Sequence, residues 1–397
     1  MKTLQHVGHA RAKRAFNGVA LKKTKGKIMI PVNDLSRGYK LYQDEYEEAA
    51  LRVLRSGWYV LGHEVEDFET EFAASLGGKC CCAGVANGLD AIMLGLKAAG
   101  IGAGDEVIVQ ANGYIATMLG VMQCGAKPVF VEPDEYYQLD AARIGDAVTD
   151  RTKAVLVTHL YGQATRMDPI VEVCRERGLK LFEDCAQSHY ASYNGTNTGL
   201  FGDAGFFSFY PTKNLGGFGD GGAVISKDPE LIRQVKVLRN YGSDRRYHNI
   251  EVGFNMRLDE IQAALLRVKV RHMPELLANR DHIAGRYLSE IDNPRVELPL
   301  IADGCRHTWY QFIIRVDDQD RFRSYLEKQG VKTDISWRTP PFLQPCMVNT
   351  YGYREGDFPV TEELCAHIVT LPMMDHMDED EITTVVDAVN SYCSERI

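Results

Sequence analysis

Nowhere in the 397 residues does an apolar run approach the roughly 20 residues that cross a bilayer, so no membrane-spanning segment is expected. No GxGxxG follows the first strand-like segment. That absence removes the nicotinamide-dinucleotide dehydrogenase that alternating strands and glycines would otherwise suggest. The ten cysteines contain no repeated CxxC pair, and only Cys80, Cys81 and Cys82 cluster. No metal site is expected, and the thiols read as reduced and packed in a cytoplasmic protein. Internal repeats and low-complexity tracts are missing too. A net charge of −9 argues against a nucleic-acid surface while leaving room for a local basic pocket.

The first 27 residues lack acid altogether and hold eight Lys or Arg, leaving 37 basic against 54 acidic residues, a net of −17, for the rest. Without the apolar core of a signal peptide this segment is not expected to direct export. An arm lying on the acidic body, a translation-start extension and a disordered tail all fit it. We divide the chain into this basic arm (1–27), a large domain (28–255), and a linking helix with a smaller C-terminal domain (256–397).

What is present is a regular alternation. Amphipathic helices are expected over Tyr42–Ser56 and His63–Leu76. Strands follow at Glu106–Gln110, Lys127–Val131, Lys153–Thr158 and Lys180–Phe182, separated by helices from Ile115 and over Asp168–Arg177. Polar residues gather at the carboxyl ends of these strands. An α/β fold follows, with a mostly parallel sheet flanked by helices and ligands bound outside the strand ends. In the last hundred or so residues, TWYQFIIRV and VKTDISW read as antiparallel strands, and Asp318–Gln329 and Asp378–Ser394 as helices. Together they make a small α+β domain.

The chain is organised around Leu181–Gly222. A strand-like run ends on Asp184, and Lys213 lies about thirty residues later, in a tight loop between Ala204–Tyr210 and a glycine cluster. Taken singly, the aspartate reads as a turn residue and the lysine as a solvated charge. Together they are what pyridoxal phosphate chemistry needs: an amine to form a Schiff base, and a carboxylate to keep the pyridine nitrogen protonated so that the ring accepts electrons. The turn Asn87-Gly88 before a helix offers free N–H groups to a phosphate. His159, at a strand end, is either an orienting group for Asp184 or a satisfied core histidine.

FEDCAQSH, then SFYPTKNLGGFGDGGA, then GFNMRLDEIQAA closely resemble the DegT/DnrJ/EryC1/StrS family of sugar aminotransferases, and the resemblance runs from Pro31 to the C-terminal helix. It implies a fold-type-I PLP-dependent transferase. In it Lys213 carries the cofactor, Asp184 faces the ring nitrogen, Gln187 bonds the ring hydroxyl and Tyr114 stacks on the ring. Ser208 binds the phosphate. At the other phosphate turn the family commonly has a hydroxyl residue where this chain has Leu89, so the N–H groups of Gly88 and Leu89 are expected to serve. Asn255 matches an asparagine that reaches the cofactor phosphate of the neighbouring subunit, which implies a homodimer with shared sites. His189 matches a family histidine without an assigned role.

The resemblance further implies a cycle in which glutamate leaves its nitrogen on the cofactor as pyridoxamine phosphate, and a nucleotide-linked ketosugar then accepts it. NGLDA, NGYIAT and FYPTKNLG look most like members that aminate C3, so the expected substrate is a dTDP-3-keto-6-deoxyhexose. Tyr210, Arg245, Tyr247, Trp337 and Arg338 are the candidate substrate contacts. ISWRTPP replaces a His-Tyr-Pro-like sequence common in the family, which puts the departure in the sugar pocket. A cyclitol aminotransferase, a 4-keto nucleotide-sugar aminotransferase and a non-catalytic PLP-binding regulator remain rivals. A PLP-dependent dehydratase is disfavoured, since such members replace the lysine by histidine.

Overall fold

Largely apolar runs of five to seven residues, most of them bounded by turn residues, make a single seven-stranded sheet. The computed structural model describes residues 23–24 and 27–393, so most of the basic arm lies outside the described residues. The strands are β1 (Cys81–Val85), β2 (Glu106–Gln110), β3 (Lys127–Val131), β4 (Thr152–Thr158), β5 (Lys180–Asp184), β6 (Ala204–Ser208) and β7 (Gly222–Ser226). Their order is β1-β7-β6-β5-β4-β2-β3. β7 runs antiparallel to both its neighbours, and every other pairing is parallel. The sheet is covered on both faces, which is why its strands are near-continuously apolar rather than alternating.

Period-two alternation then decides which side chain meets which helix layer. The helices are α1 (Gln43–Ser56), α2 (His63–Ser75), α3 (Gly88–Ala98), α4 (Ile115–Gln123), α5 (Met167–Arg177), α6 (Pro229–Leu238) and α7 (Glu260–Glu290). Val107, Val109, Leu156, Phe182, Phe206 and Val224 pack under α3, α4 and α6. Their neighbours in sequence turn the other way: Phe207 and Ile225 meet α2 and α7, and Ile108, Val155 and Leu181 meet α5. A buried carboxylate ties two of these helices together. Glu260, at the start of α7, accepts the N–H groups of Gly62, Glu64 and Val65 at 2.8–3.0 Å. It thereby satisfies the free donors, and the positive end, of α2.

Beyond α7, strands β8 (Val296–Glu297), β9 (Phe312–Val316) and β10 (Ile368–Leu371) form a small antiparallel sheet in that order. It packs with α8 (Gln319–Gln329) and α9 (Glu379–Asn390) around Tyr287, Phe312, Phe322 and Val385. The expected strand VKTDISW is corrected here. It makes only isolated bridges, Val331 with Ile30 and Asp334 with Thr370. The partner of β9 is instead Ile368–Leu371, whose register pairs Phe312 with Leu371. Among the described residues no helix is long and apolar enough to cross a membrane.

Candidate active site

The carboxyl ends of β4, β5 and β6 open into a cavity of about 450 Å³. Asp184, Gln187, Ser208, Lys213, Tyr114 and the turn Gly88-Leu89 all line it, so residues spread over 126 positions of sequence meet at one place.

Asp184 closes β5, and its position follows from the strand's period: Glu183 faces away and Asp184 faces the cavity. Thr117 donates its hydroxyl to Asp184 Oδ2 at 2.6 Å, and the Ala186 N–H donates to Oδ1 at 3.0 Å. Burial pushes the carboxyl above the usual carboxylate range, against the pull of Thr117, Ala186 and the charge of Lys213. A buried carboxylate held by neutral donors alone calls for a cation on its open side. Gln187 is oriented by its oxygen, which accepts the Tyr161 N–H at 2.8 Å. Among the described residues its amide nitrogen has no hydrogen-bond partner, and the side chain lines the cavity wall.

The lysine loop is closed by the ladder itself. Ser208 and Gly222 are paired across β6 and β7, and Phe209 N–H donates to Gly221 O at 2.7 Å. Within the loop, Lys213 N–H donates to Tyr210 O, and Asn214 Nδ2 donates to Thr308 O at 2.8 Å. Lys213 Nζ stands 3.3 Å from the Tyr310 hydroxyl and 4.4 Å from that ring's centre.

At the opposite end of the cavity, Asn87 caps α3 by accepting the Asp90 N–H, which leaves the Gly88 and Leu89 N–H groups free. A Cβ on Gly88 would lie 2.6 Å from Ser208 Cβ, so only glycine lets the helix N-terminus and the Ser208 hydroxyl come this close. Two N–H groups and a hydroxyl converge there, a donor set that suits a phosphate. The complementary pair of a buried carboxylate and a donor cradle, with one amine between them, fits pyridoxal phosphate.

The substrate candidates divide. Tyr210 and Trp337 line the cavity, with Trp337 stacked on Tyr161 at 6.2 Å and 5.7 Å from Tyr114. Arg338, expected beside Trp337, turns outward instead, because Asp320 on α8 offers a two-pronged partner at 2.6 and 3.0 Å. Arg245 and Tyr247 lie in an exposed hairpin, Ser243–Arg245 with His248–Asn249, away from this cavity in their own chain. Asn255 is likewise exposed and outside it.

Of the two readings of His159, the contacts favour the satisfied core histidine. Its Nε2 bonds Glu183 Oε2 at 3.0 Å, and its Nδ1 accepts the Thr165 N–H, so the ring serves the face behind Asp184. His159, Glu183 and Cys185 come close together, but Glu183 already accepts three backbone N–H groups, from Gly199, Phe201 and Gly202. His189 packs on Phe207 and Phe209, and burial pushes its ring down to about 3, leaving it neutral. Thr117 and Tyr310 are the residues that sequence reasoning missed. Thr117 carried one signal, a hydroxyl in the first turn of the helix that follows a strand end of the site. Tyr310 carried none.

Residues 41–390 match the DegT/DnrJ/EryC1/StrS aminotransferase family. The dTDP-3-amino-3,6-dideoxy-alpha-D-galactopyranose transaminase of Aneurinibacillus thermoaerophilus is 46% identical, over 92% of this chain and 99% of the relative. The crystal structure of S. venezuelae DesV in complex with ketimine intermediate superposes with a TM-score of 0.89 at 40% identity, covering 93% of this chain and 99% of that one. That of Bacillus subtilis NtdA with bound cofactor PMP does so at 0.79 and 27% identity, covering 87% and 81%. With the strand order, the Asp184–Lys213 cavity and this breadth of match, the chain belongs to the DegT/DnrJ/EryC1/StrS aminotransferase family.

Proposed function

We propose that this protein transfers an amino group from glutamate to the C3 carbonyl of a dTDP-linked 3-keto-6-deoxyhexose. It is a PLP-dependent aminotransferase of nucleotide-linked ketosugars, as its family and relatives are. One observation carries the chemical assignment: a buried Asp184, held only by a hydroxyl and an N–H, sharing a cavity with a single lysine. The choice of sugar is supported by relatives at 46% and 40% identity that are named as dTDP-3-amino sugar transaminases.

Bound here, pyridoxal phosphate supplies an aldehyde that takes up the amine nitrogen and a ring that draws electrons from the reacting carbon. The rest is the work of the chain. Asp184 keeps a proton on the ring nitrogen, with Thr117 and Ala186 fixing the carboxylate's angle. Gly88, Leu89 and Ser208 would anchor the phosphate, and Tyr114 would cover one face of the ring. Lys213 Nζ, tethered at the β6–β7 rung, reaches the reacting carbons and carries the proton between them. Trp337 and Tyr210 wall the side where the sugar would enter.

We also infer a homodimer. Leu51, Leu54, Trp58, Tyr59 and Val60, close together in sequence, are all exposed, as is Phe218 beside the lysine loop. Large apolar side chains concentrated in this way are characteristic of a covered surface. Asn255 and the Arg245–Tyr247 hairpin, exposed and outside their own cavity, would then serve the partner's site.

The test is to load the enzyme with pyridoxamine phosphate and offer dTDP-3-keto, UDP-3-keto and dTDP-4-keto sugars and an inosose, following the return of the yellow cofactor band. The dTDP-3-keto sugar is expected to restore it fastest. Restoration by the inosose alone would overturn the nucleotide-sugar reading. No bleaching by glutamate in the first half-cycle would overturn the reaction class.

A further inference from the structure

Lys213 borders two cavities. One is the reaction cavity. The other, about 440 Å³, lies against the opposite wall of the lysine loop and is lined by Lys269, Arg280, Asp375, His376 and Asp34 among others. Whenever Lys213 is not bonded to the cofactor, its amine has room on either side. In the second cavity Lys269 and Arg280 stand against Asp34 and Asp375, and none of these has a hydrogen bond to the Lys213 amine.

On the reaction side stands Tyr310. Its hydroxyl lies 3.3 Å from Lys213 Nζ and 3.4 Å from Thr212 Oγ1, and the ring face lies 4.4 Å from Nζ. This placement is enforced from several directions. Thr308 N–H donates to Gly162 O at 2.7 Å, Gln311 N–H donates to Tyr161 O at 3.1 Å, and Thr308 O accepts from Asn214 of the lysine loop. A Cβ on Gly162 would come within 2.6 Å of Tyr310 N, so the turn after β4 can clamp this segment only with glycine there. Trp309, just before the tyrosine, sits at φ 52°, a left-handed conformation that a bulky side chain adopts only when its surroundings impose it. Its carbonyl is held by Arg280 Nη1 at 2.7 Å. Strain and four anchoring hydrogen bonds thus converge on the placing of one phenol beside one amine.

We propose that Tyr310 is a positioning residue for the reaction, whose hydroxyl and ring face receive the Lys213 amine whenever it is free and keep it on the reaction side. The proposal rests on the assignment of Lys213 given above. The phenol oxygen accepts an N–H from the ammonium while the ring faces its charge. Burial raises the phenol's proton affinity, but Lys213, Thr212 and Arg280 together bring it below the usual tyrosine range, which suits an acceptor for a cation. The other ionisable groups around this pair are Asp184, Asp220 and Asp334 in the cavity wall, Arg280 on α7, and the neutral His189. None of them has a hydrogen bond to Lys213 Nζ. Among the described residues the amine therefore has one hydrogen-bond partner on the reaction side, Tyr310.

The test uses full-length enzyme loaded with pyridoxamine phosphate, in which Lys213 is free. Brief treatment with acetic anhydride at neutral pH, followed by peptide mapping, reports acetylation of Lys213 relative to exposed Lys40. Tyr310→Phe keeps the ring and removes the oxygen, and acetylation of Lys213 is expected to rise about tenfold. In turnover, kcat is expected to fall by a similar factor with KM for both substrates nearly unchanged, and the isotope effect with α-deuterated glutamate to grow. Unchanged acetylation with unchanged kcat would overturn the proposal. Should Tyr310→Phe fail to fold, Thr212→Val, which frees the phenol to swing, takes its place. A smaller rise in acetylation supports the proposal, and no rise overturns it. Borohydride trapping of the yellow form separates the two levels of inference. A tag away from Lys213 sinks the proposed function itself, whereas a tag on Lys213 with unaltered acetylation sinks only the role of Tyr310.

Discussion

Thr117→Val removes one oxygen from beneath the site and almost no volume. The lost bond is the 2.6 Å contact to Asp184 Oδ2, between two buried groups. A hydrogen bond to a charged partner contributes about 1.5–3 kcal/mol, and Asp184 keeps its second contact at Ala186. At 1.4 kcal/mol per factor of ten, kcat/KM is expected to fall about 10- to 100-fold. The direction of the pH effect follows as well. Burial already raises the Asp184 carboxyl and Thr117 pulls it down, so removing the hydroxyl raises it further. Activity that needs the carboxylate is present above that value and lost as the pH falls through it. The acid limb of the kcat/KM profile therefore moves to higher pH in the variant. Thr117→Ser, which restores the oxygen, should return both the rate and the limb toward wild type. A variant that folds normally but leaves the acid limb in place, or moves it downward, would refute this account of Asp184.

Three further outcomes are expected. Lys213→Ala should abolish turnover with an unchanged far-ultraviolet circular dichroism spectrum, since among the described residues its side-chain amine bonds only the Tyr310 hydroxyl. Gly88→Ala should weaken cofactor retention on dialysis about tenfold or more, because the new Cβ pushes the α3 N-terminus off Ser208. Asp375→Asn should cost about 1.5–3 kcal/mol in denaturant unfolding, because it weakens the 2.9 Å contact with His376 Nδ1 and removes a negative charge near Lys269 and Arg280. Burial would raise the Asp375 carboxyl, but His376, Arg280 and Lys269 outweigh it and hold it well below the usual range. Its contribution is therefore full above about pH 4 and fades as the pH falls below that, so the variant and wild type should converge in acid.

Much of the large sheet could be read from the chain because each strand is a short apolar run ended by a turn residue. Glu106–Gln110 and Lys127–Val131 fall where the pattern places them. Asp184 and Lys213 stood out as polar residues beside strand ends, while the roles expected of them and of Gln187 came from the family resemblance; the structure brings all three to one cavity. Long-range pairing was less accessible. No local pattern says that β7 slips antiparallel between β1 and β6, or that Asp334 meets Thr370 through one bridge rather than a ladder. Side-chain direction on exposed loops was equally hidden. Arg338 follows Asp320, a partner eighteen residues away on another element. Tyr310 looks like one more apolar residue before a strand until the Gly162 turn closes on it from far upstream.

The lysine loop leaves and re-enters the sheet at one rung, Ser208 against Gly222. It therefore behaves like a bucket handle: changes within 209–221 alter how far the amine hangs, never where it hangs from. Slipping β6 by one residue would do the reverse, sending Ser208 through to the wrong side of the sheet. Sugars of different depth are best accommodated by lengthening or shortening the handle, and a designer seeking a new acceptor should leave the two hinges untouched.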